Sequence, residues 1–159
     1  MLRIFIRNTT ITAVLILITS GIFLSCSEEC QIKPRSFAAI DFYSVVDGDD
    51  IKVPVDNFSL YGLGREDSLL YSGRDNINTI SLPMNGSADE SGFSFIFGEK
   101  IDTVWFTYEV IPRFLSQECG FVLNFELIET RHTSNKIDSV VIVIKEITSF
   151  DDTNIRIYH

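Results

Sequence analysis

Two stretches in the second half of the chain constrain its fold more than any other feature. TVWFTYEVI, Thr103 to Ile111, sets Val104, Phe106, Tyr108 and Val110 on one side and Trp105, Thr107 and Glu109 on the other. FVLNFELIE, Phe121 to Glu129, sets Phe121, Leu123, Phe125 and Leu127 on one side and Asn124 and Glu126 on the other. Successive side chains of an extended backbone point to opposite sides, so period-two alternation marks a strand with one buried face. FSFIF repeats the pattern with Phe93, Phe95 and Phe97, and RSFAAIDFYSVV repeats it with Ala38, Ile40 and Phe42. Outside the N-terminal segment no stretch carries a helical period.

The punctuation between these runs is that of short β connections. Asp47-Gly48 stands between two apolar runs and predicts a tight hairpin turn. Phe58, Leu60 and Gly62 belong to the next run, SLLYS and INTISL are further short strands, and Pro83 to Gly92 reads as a polar loop. SVVIVI, Ser139 to Ile144, is apolar on both sides, which predicts a central strand covered on both faces. NIRIYH, Asn154 to His159, is placed to close the sheet. About nine strands at this spacing predict an all-β fold, an antiparallel β-sandwich of loosely immunoglobulin-like or transthyretin-like kind. A small closed barrel is the alternative. The 159 residues, 45% of them hydrophobic, suffice for one core, and no repeat or second domain is visible.

Residues 1–25, MLRIFIRNTTITAVLILITSGIFLS, have the order of a secretory signal: Arg3 and Arg7 first, then an apolar helical run, then small Ser25. A spanning anchor is the rival reading. It needs about 20 apolar residues, and Thr12, Thr19, Ser20 and Gly21 dilute this run. The expected organisation is a signal peptide over 1–25, a tether over 26–35 and a single β-sandwich domain over 36–159. Phe23-Leu24-Ser25-Cys26 resembles a bacterial lipobox, although Phe23 is less usual there than leucine. The resemblance implies a thioether-linked lipid on Cys26 and cleavage just before it. Ser27-Glu28-Glu29 resembles the short acidic signal that sends Bacteroidetes lipoproteins to the cell surface; a solvated tether would look the same. The expected address is the cell envelope, as an outer-membrane lipoprotein facing the periplasm or the exterior, held to the membrane by its lipid.

Three cysteines are an odd number for an exported chain. Lipidation of Cys26 leaves Cys30 and Cys119, and thiols outside the cytoplasm tend to oxidise. A Cys30–Cys119 disulfide is therefore expected. The alternative leaves Cys119 as a buried thiol.

Charge narrows the range of functions. Arg3 and Arg7 are the only charges in residues 1–25, so without that segment the net charge goes from -9 to -11. Such a chain repels phosphate backbones, and no nucleic-acid partner is expected. The two histidines, His132 and His159, read as polar residues at strand ends. No G-x-S-x-G elbow exists, and no metal-ligating spacing of Cys and His. The DGDD of Asp47 to Asp50 is explained more simply by the hairpin than by a calcium loop. No catalytic residue, metal or cofactor is assigned. Trp105, Tyr43, Tyr61 and Tyr71 are candidates to stack on sugars, though sheet-face packing explains such residues equally well.

Asp67-Ser68-Leu69, Asp102-Thr103-Val104 and Asp138-Ser139-Val140 resemble the O-glycosylation triplets of exported Bacteroidetes proteins, which implies acceptors at Ser68, Thr103 and Ser139. A turn-ending Asp before an apolar strand yields the same triplets. Finally, Ser116 to Phe121 (SQECGF), Thr130 to His132 (TRH), Ile137 to Val140 (IDSV) and the terminal IRIYH together resemble a family of small Bacteroidetes lipoproteins classed as a domain of unknown function. The resemblance implies address rather than activity. Two functions are carried forward: a lipid-anchored, non-catalytic module that binds or scaffolds envelope proteins or glycans, and a glycan-acting envelope enzyme with dispersed carboxylates.

Overall fold

The computed structural model describes residues 36–117, 119–148 and 152–159. The expected signal helix over 1–25 and the tether over 26–35, with Cys26 and Cys30, lie outside the described residues. Eleven strands are present among those described: β1 (Phe37–Val46), β2 (Asp49–Lys52), β3 (Phe58–Gly62), β4 (Leu69–Arg74), β5 (Thr79–Pro83), β6 (Glu90–Phe97), β7 (Lys100–Ser116), β8 (Gly120–His132), β9 (Ser139–Ile142), β10 (Glu146–Ile147) and β11 (Thr153–Tyr158). The fold is the expected all-β sandwich. The short β2 and β10 account for the excess over nine strands.

One sheet has the order β2-β1-β11-β9, with β5 also paired to β1. The register places β5 and β2 in succession along one side of β1, with β11 along the other. The second sheet has the order β10-β8-β7-β6-β3-β4 and is antiparallel throughout. Asp47 and Gly48 form the two-residue turn between β1 and β2 with φ of 55° and 92°. Both central residues of such a turn need positive φ, which Asp-Gly supplies at low cost. A second pair of left-handed residues, Asn57 and Asn76, closes the bends around the Val55–Ile77 bridge. Each N–H is held at 2.8 Å by an aspartate of the opposite bend: Asn57 donates to Asp75 and Asn76 to Asp56.

The core lies between the sheets. Phe42 of β1 meets Phe58 of β3 edge-on at 5.4 Å between ring centroids, and Phe58 packs in turn on Phe95 and Phe97 of β6. Ile40, Ile80, Leu82, Ile155 and Ile157 line the first sheet's inner face, and Leu60, Val104, Phe106 and Leu127 line the second's. Large side chains buried from both faces interlock, and each contributes roughly 1.5–3 kcal/mol of transfer free energy.

Three details depart from the sequence reading, and a fourth, a bulge in β8, is a feature the sequence reading made no statement about. SVVIVI does not form a central strand: among the described residues β9 is an edge strand bonded to β11 alone, and Val141, Val143 and Ile144 are exposed. The terminal NIRIYH does not close an edge. It forms β11 inside its sheet, parallel to β1, with Ile40 opposite Ile155 and Phe42 opposite Ile157. In β8 the alternation breaks at a bulge: Thr107 pairs with Glu129 but Tyr108 with Leu127, so Ile128 has no opposite residue and is exposed. An extra residue flips the side-chain parity of everything beyond it. Lastly, Phe121 and Leu123 share the inner face with Phe125 and Leu127 yet are exposed, while Asn124 is buried and accepts a hydrogen bond from Ser36 Oγ at 3.2 Å. Among the described residues, the β7–β8 hairpin runs on past the end of the facing sheet, and its inner face there stays exposed at Phe121 and Leu123.

Candidate functional site

Carboxylates are the first groups to account for, since the sequence left open an enzyme built on them. Asp41 and Asp102 are the acids held out of water among the described residues. Asp41, on β1, accepts from Lys52 Nζ of β2 at 2.7 Å, from Thr153 Oγ1 of β11 at 2.9 Å and from Thr79 Oγ1 of β5. One side chain thus joins four strands. Asp102, on β7, accepts from Thr133 Oγ1 at 2.6 Å and from the backbone N–H groups of Asn135, Lys136 and Ile137 at 2.7, 2.6 and 2.9 Å. It organises the connection between β8 and β9. Burial raises both carboxyls, but the hydrogen bonds outweigh it and both end below their ordinary value. Acids held ionised by structural donors suit sheet-fastening, whereas a general acid needs a raised value. Among the described residues no three His, Cys, Asp or Glu side chains are grouped to hold a metal ion.

Three of the four aromatic candidates for sugar stacking are already engaged, and the fourth, Tyr61, is half-buried on β3. Arg131 lies over the Trp105 ring at 5.3 Å and is paired with Glu90. Arg156 lies over Tyr43 at 4.7 Å, and Tyr158 flanks the same ring at 5.9 Å. The Tyr71 ring packs on Phe58, and its hydroxyl accepts from the N–H of Ser81. Each ring has at least one face or edge covered by its own sheet. Sequence reasoning could not see these partners, because they come from strands far away along the chain.

What remains open is the uncovered end of the hairpin. An apolar groove of about 280 Å³ is lined by Phe37, Pro83, Met84, Phe121, Leu123 and Phe125, with Ser36 and Gly86 completing it. Three elements build it. The start of β1 pairs with the end of β5, Phe37 opposite Pro83, and forms one wall. The loop after β5 forms the floor and is held by the buried phenol of Tyr108, which donates to the Asn85 carbonyl at 3.0 Å and accepts from the Asn85 N–H at 3.1 Å. Ser91 Oγ lies 2.6 Å from the same hydroxyl. Gly86 leaves room for Leu123, whose Cδ1 a Cβ there would strike. The other wall is the outer part of β8. Beyond the groove Phe121 is 67% exposed and Phe114, opposite it on β7, is 55% exposed; the two rings meet at 5.2 Å.

The residues singled out in the sequence fall into separate places. Cys119 sits half-buried in the turn that joins β7 to β8, its N–H donating to Ser116 Oγ, two residues before Phe121 of the groove. Its expected partner Cys30, and the lipid-bearing Cys26, lie outside the described residues. Ser68 is exposed in the turn before β4. Thr103 is half-buried within β7 beside Thr133, and Ser139 is half-buried in β9 opposite Tyr158. His132 ends β8, and His159 is partly buried against Phe42 and Phe97. Sequence reasoning missed the groove. The signal for it was the pairing of Phe114 and Phe121 across one turn.

The family of unknown function DUF6452 matches residues 57–159. The chain belongs to this family. The DUF6452 match takes in β3 to β11, hence the whole six-stranded sheet, Asp102 and its donors, and the β8 wall of the groove. It also contains the segments around Cys119, Thr130 and Asp138 that carried the resemblance to a family of unknown function. Ser36, Phe37 and Asp41 precede the DUF6452 stretch. No curated protein and no solved structure matches the chain.

Proposed function

We propose that this chain is a lipid-anchored cell-envelope protein, fixed to the outer membrane through Cys26, whose sandwich acts without catalysis as a binding or scaffolding module. The observation that carries the reading is the position of the open apolar surface. It lies at the end of the sandwich where the chain enters β1, ten residues after the lipobox cysteine. The lowered carboxyls of Asp41 and Asp102 support a structural use of the acids rather than turnover. A Cys30–Cys119 disulfide belongs to the same reading: it would fasten the tether to the β7–β8 turn. Of the three glycosylation triplets, the one at Ser68 offers the most accessible hydroxyl.

Membrane fractionation of cells expressing the wild type and Cys26→Ser tests the anchor. The wild type is expected in the outer-membrane fraction and to incorporate a fatty-acid label. Cys26→Ser is expected to lose the label and leave the membrane. Equal retention of the two overturns the reading.

A further inference from the structure

The uncovered end of the hairpin has a composition unlike the rest of the molecule. From Val110 to Asn124 the sequence holds one basic residue, Arg113, and one acidic residue, Glu118, in a chain of net charge -9. The opposite end of β1 carries Asp47, Asp49 and Asp50, and ten residues of extended strand set it about 30 Å from Phe37. Asp89, in the loop after β5, and Asp152, just before β11, also lie toward the hairpin end, so the near-neutral stretch is the hairpin itself. Phe114 and Phe121 are large, meet edge-on and are mostly in water, and Leu123 and Phe37 extend the same surface. Contiguous exposed apolar area of this kind marks a contact surface.

The length of chain between this surface and the lipid limits what can cover it. Ten residues separate Cys26 from Ser36, at most ~35 Å of chain. If Cys30 is bonded to Cys119, three residues and the disulfide separate the lipid-bearing Cys26 from the β7–β8 turn, at most ~20 Å. With that bond and the lipid in place, the aromatic end lies within reach of the lipid headgroups, and the end of β1 that carries Asp47, Asp49 and Asp50 lies farther out. Aromatic and apolar side chains settle at that depth.

We infer that the end of the β7–β8 hairpin, through Phe114 and Phe121 with Leu123 and Phe37, docks onto the lipid surface to which Cys26 tethers the chain. The inference rests on the anchored reading above. Docking fixes the orientation of the sandwich, so that the acidic β1–β2 turn points away from the membrane and the outer faces of both sheets stand to the side. The occupant of the groove is then lipid rather than a second protein.

The test uses the full lipidated chain reconstituted into vesicles of phosphatidylethanolamine and phosphatidylglycerol. W105F/F121W places the single tryptophan at the hairpin end; the wild type, with Trp105 on the outer sheet face, is the comparison. On vesicle binding, the emission of the double variant is expected to move to shorter wavelength. It is also expected to be quenched several-fold more by bromine-labelled acyl chains than that of the wild type. If the chain floats with the vesicles while the tryptophan of W105F/F121W stays open to aqueous iodide, docking is overturned and the anchor stands. If that tryptophan is shielded equally with and without vesicles, a protein segment covers it and docking is likewise overturned. An acyl-free chain that does not float removes the anchor, and docking with it.

Discussion

The backbone N–H of Ile137 donates to Oδ2 of Asp102 at 2.9 Å, and both residues are buried. A charge is thus held inside the sandwich by a chain of three consecutive amides, Asn135 to Ile137, with Thr133 Oγ1 as a fourth donor. Ile137 enters the core because Asp102 fixes the bend that precedes it.

Asp102→Asn keeps the shape and removes the charge. The amide that replaces one carboxylate oxygen turns its own N–H groups toward backbone donors, so two hydrogen bonds are lost. The expected cost is about 3–5 kcal/mol, seen as a fall in Tm on the order of 10 °C. Thermal unfolding followed by circular dichroism measures it. A change within about 0.5 kcal/mol, as for an ordinary surface site, contradicts the role given to Asp102.

Acid should unfold the protein in a defined window. Asp41 and Asp102 have folded values below their unfolded 3.8, so their contribution is full above that value and is lost as pH falls through the lower folded values. His159 is lowered from 6.5 by burial. Its contribution is full above 6.5 and fades as pH falls through the lowered value. Wild-type Tm should decline modestly from pH 7 to 5 and steeply below pH 4. The steep part should be smaller in Asp102→Asn. Parallel profiles for the two proteins below pH 4 would remove the carboxylate from the explanation.

Gly92, on β6, lies between Leu63 and Trp105 on the outer face. A Cβ there would stand 2.6 Å from Leu63 Cδ1 and 3.0 Å from Trp105 Cδ1. Leu63 can turn away, but the indole is held under Arg131. Gly92→Ala is expected to cost about 1–3 kcal/mol by overpacking and to alter the near-ultraviolet signal of Trp105. An unchanged signal and an unchanged Tm would mean the indole is free to shift.

Cys30→Ser tests the staple. Closing a loop of some ninety residues contributes roughly 4–5 kcal/mol in the chain-entropy account. Denaturant unfolding under oxidising conditions should give a midpoint for Cys30→Ser that matches the reduced wild type. A midpoint equal to the oxidised wild type would show that Cys30 takes no part.

Much of the fold was legible because period-two alternation is a local property. It placed Phe93 and Phe95, Val104 through Tyr108, and Ala38 through Phe42 on the correct faces, and Asp47-Gly48 marked its turn. The alternation shows which face is inward but not how far the opposing sheet extends, so Phe121 and Leu123 appeared buried and the groove stayed hidden. It also passes over a bulge when the inserted residue is apolar, as Ile128 is. Val140 to Ile144 is apolar on both sides, and that composition cannot distinguish a central strand from an exposed edge. Asp102 stood in a glycosylation-like triplet, while its donors lie over thirty residues later, where no local pattern points to them.

The most direct test of the account is the intact mass of the chain extracted from membranes. The account predicts a protein that starts at Cys26 and carries acyl mass on that residue. It predicts two hydrogens fewer than the fully reduced composition, restored on treatment with a reductant. An unacylated chain that retains Met1, or begins after Cys26, would contradict it.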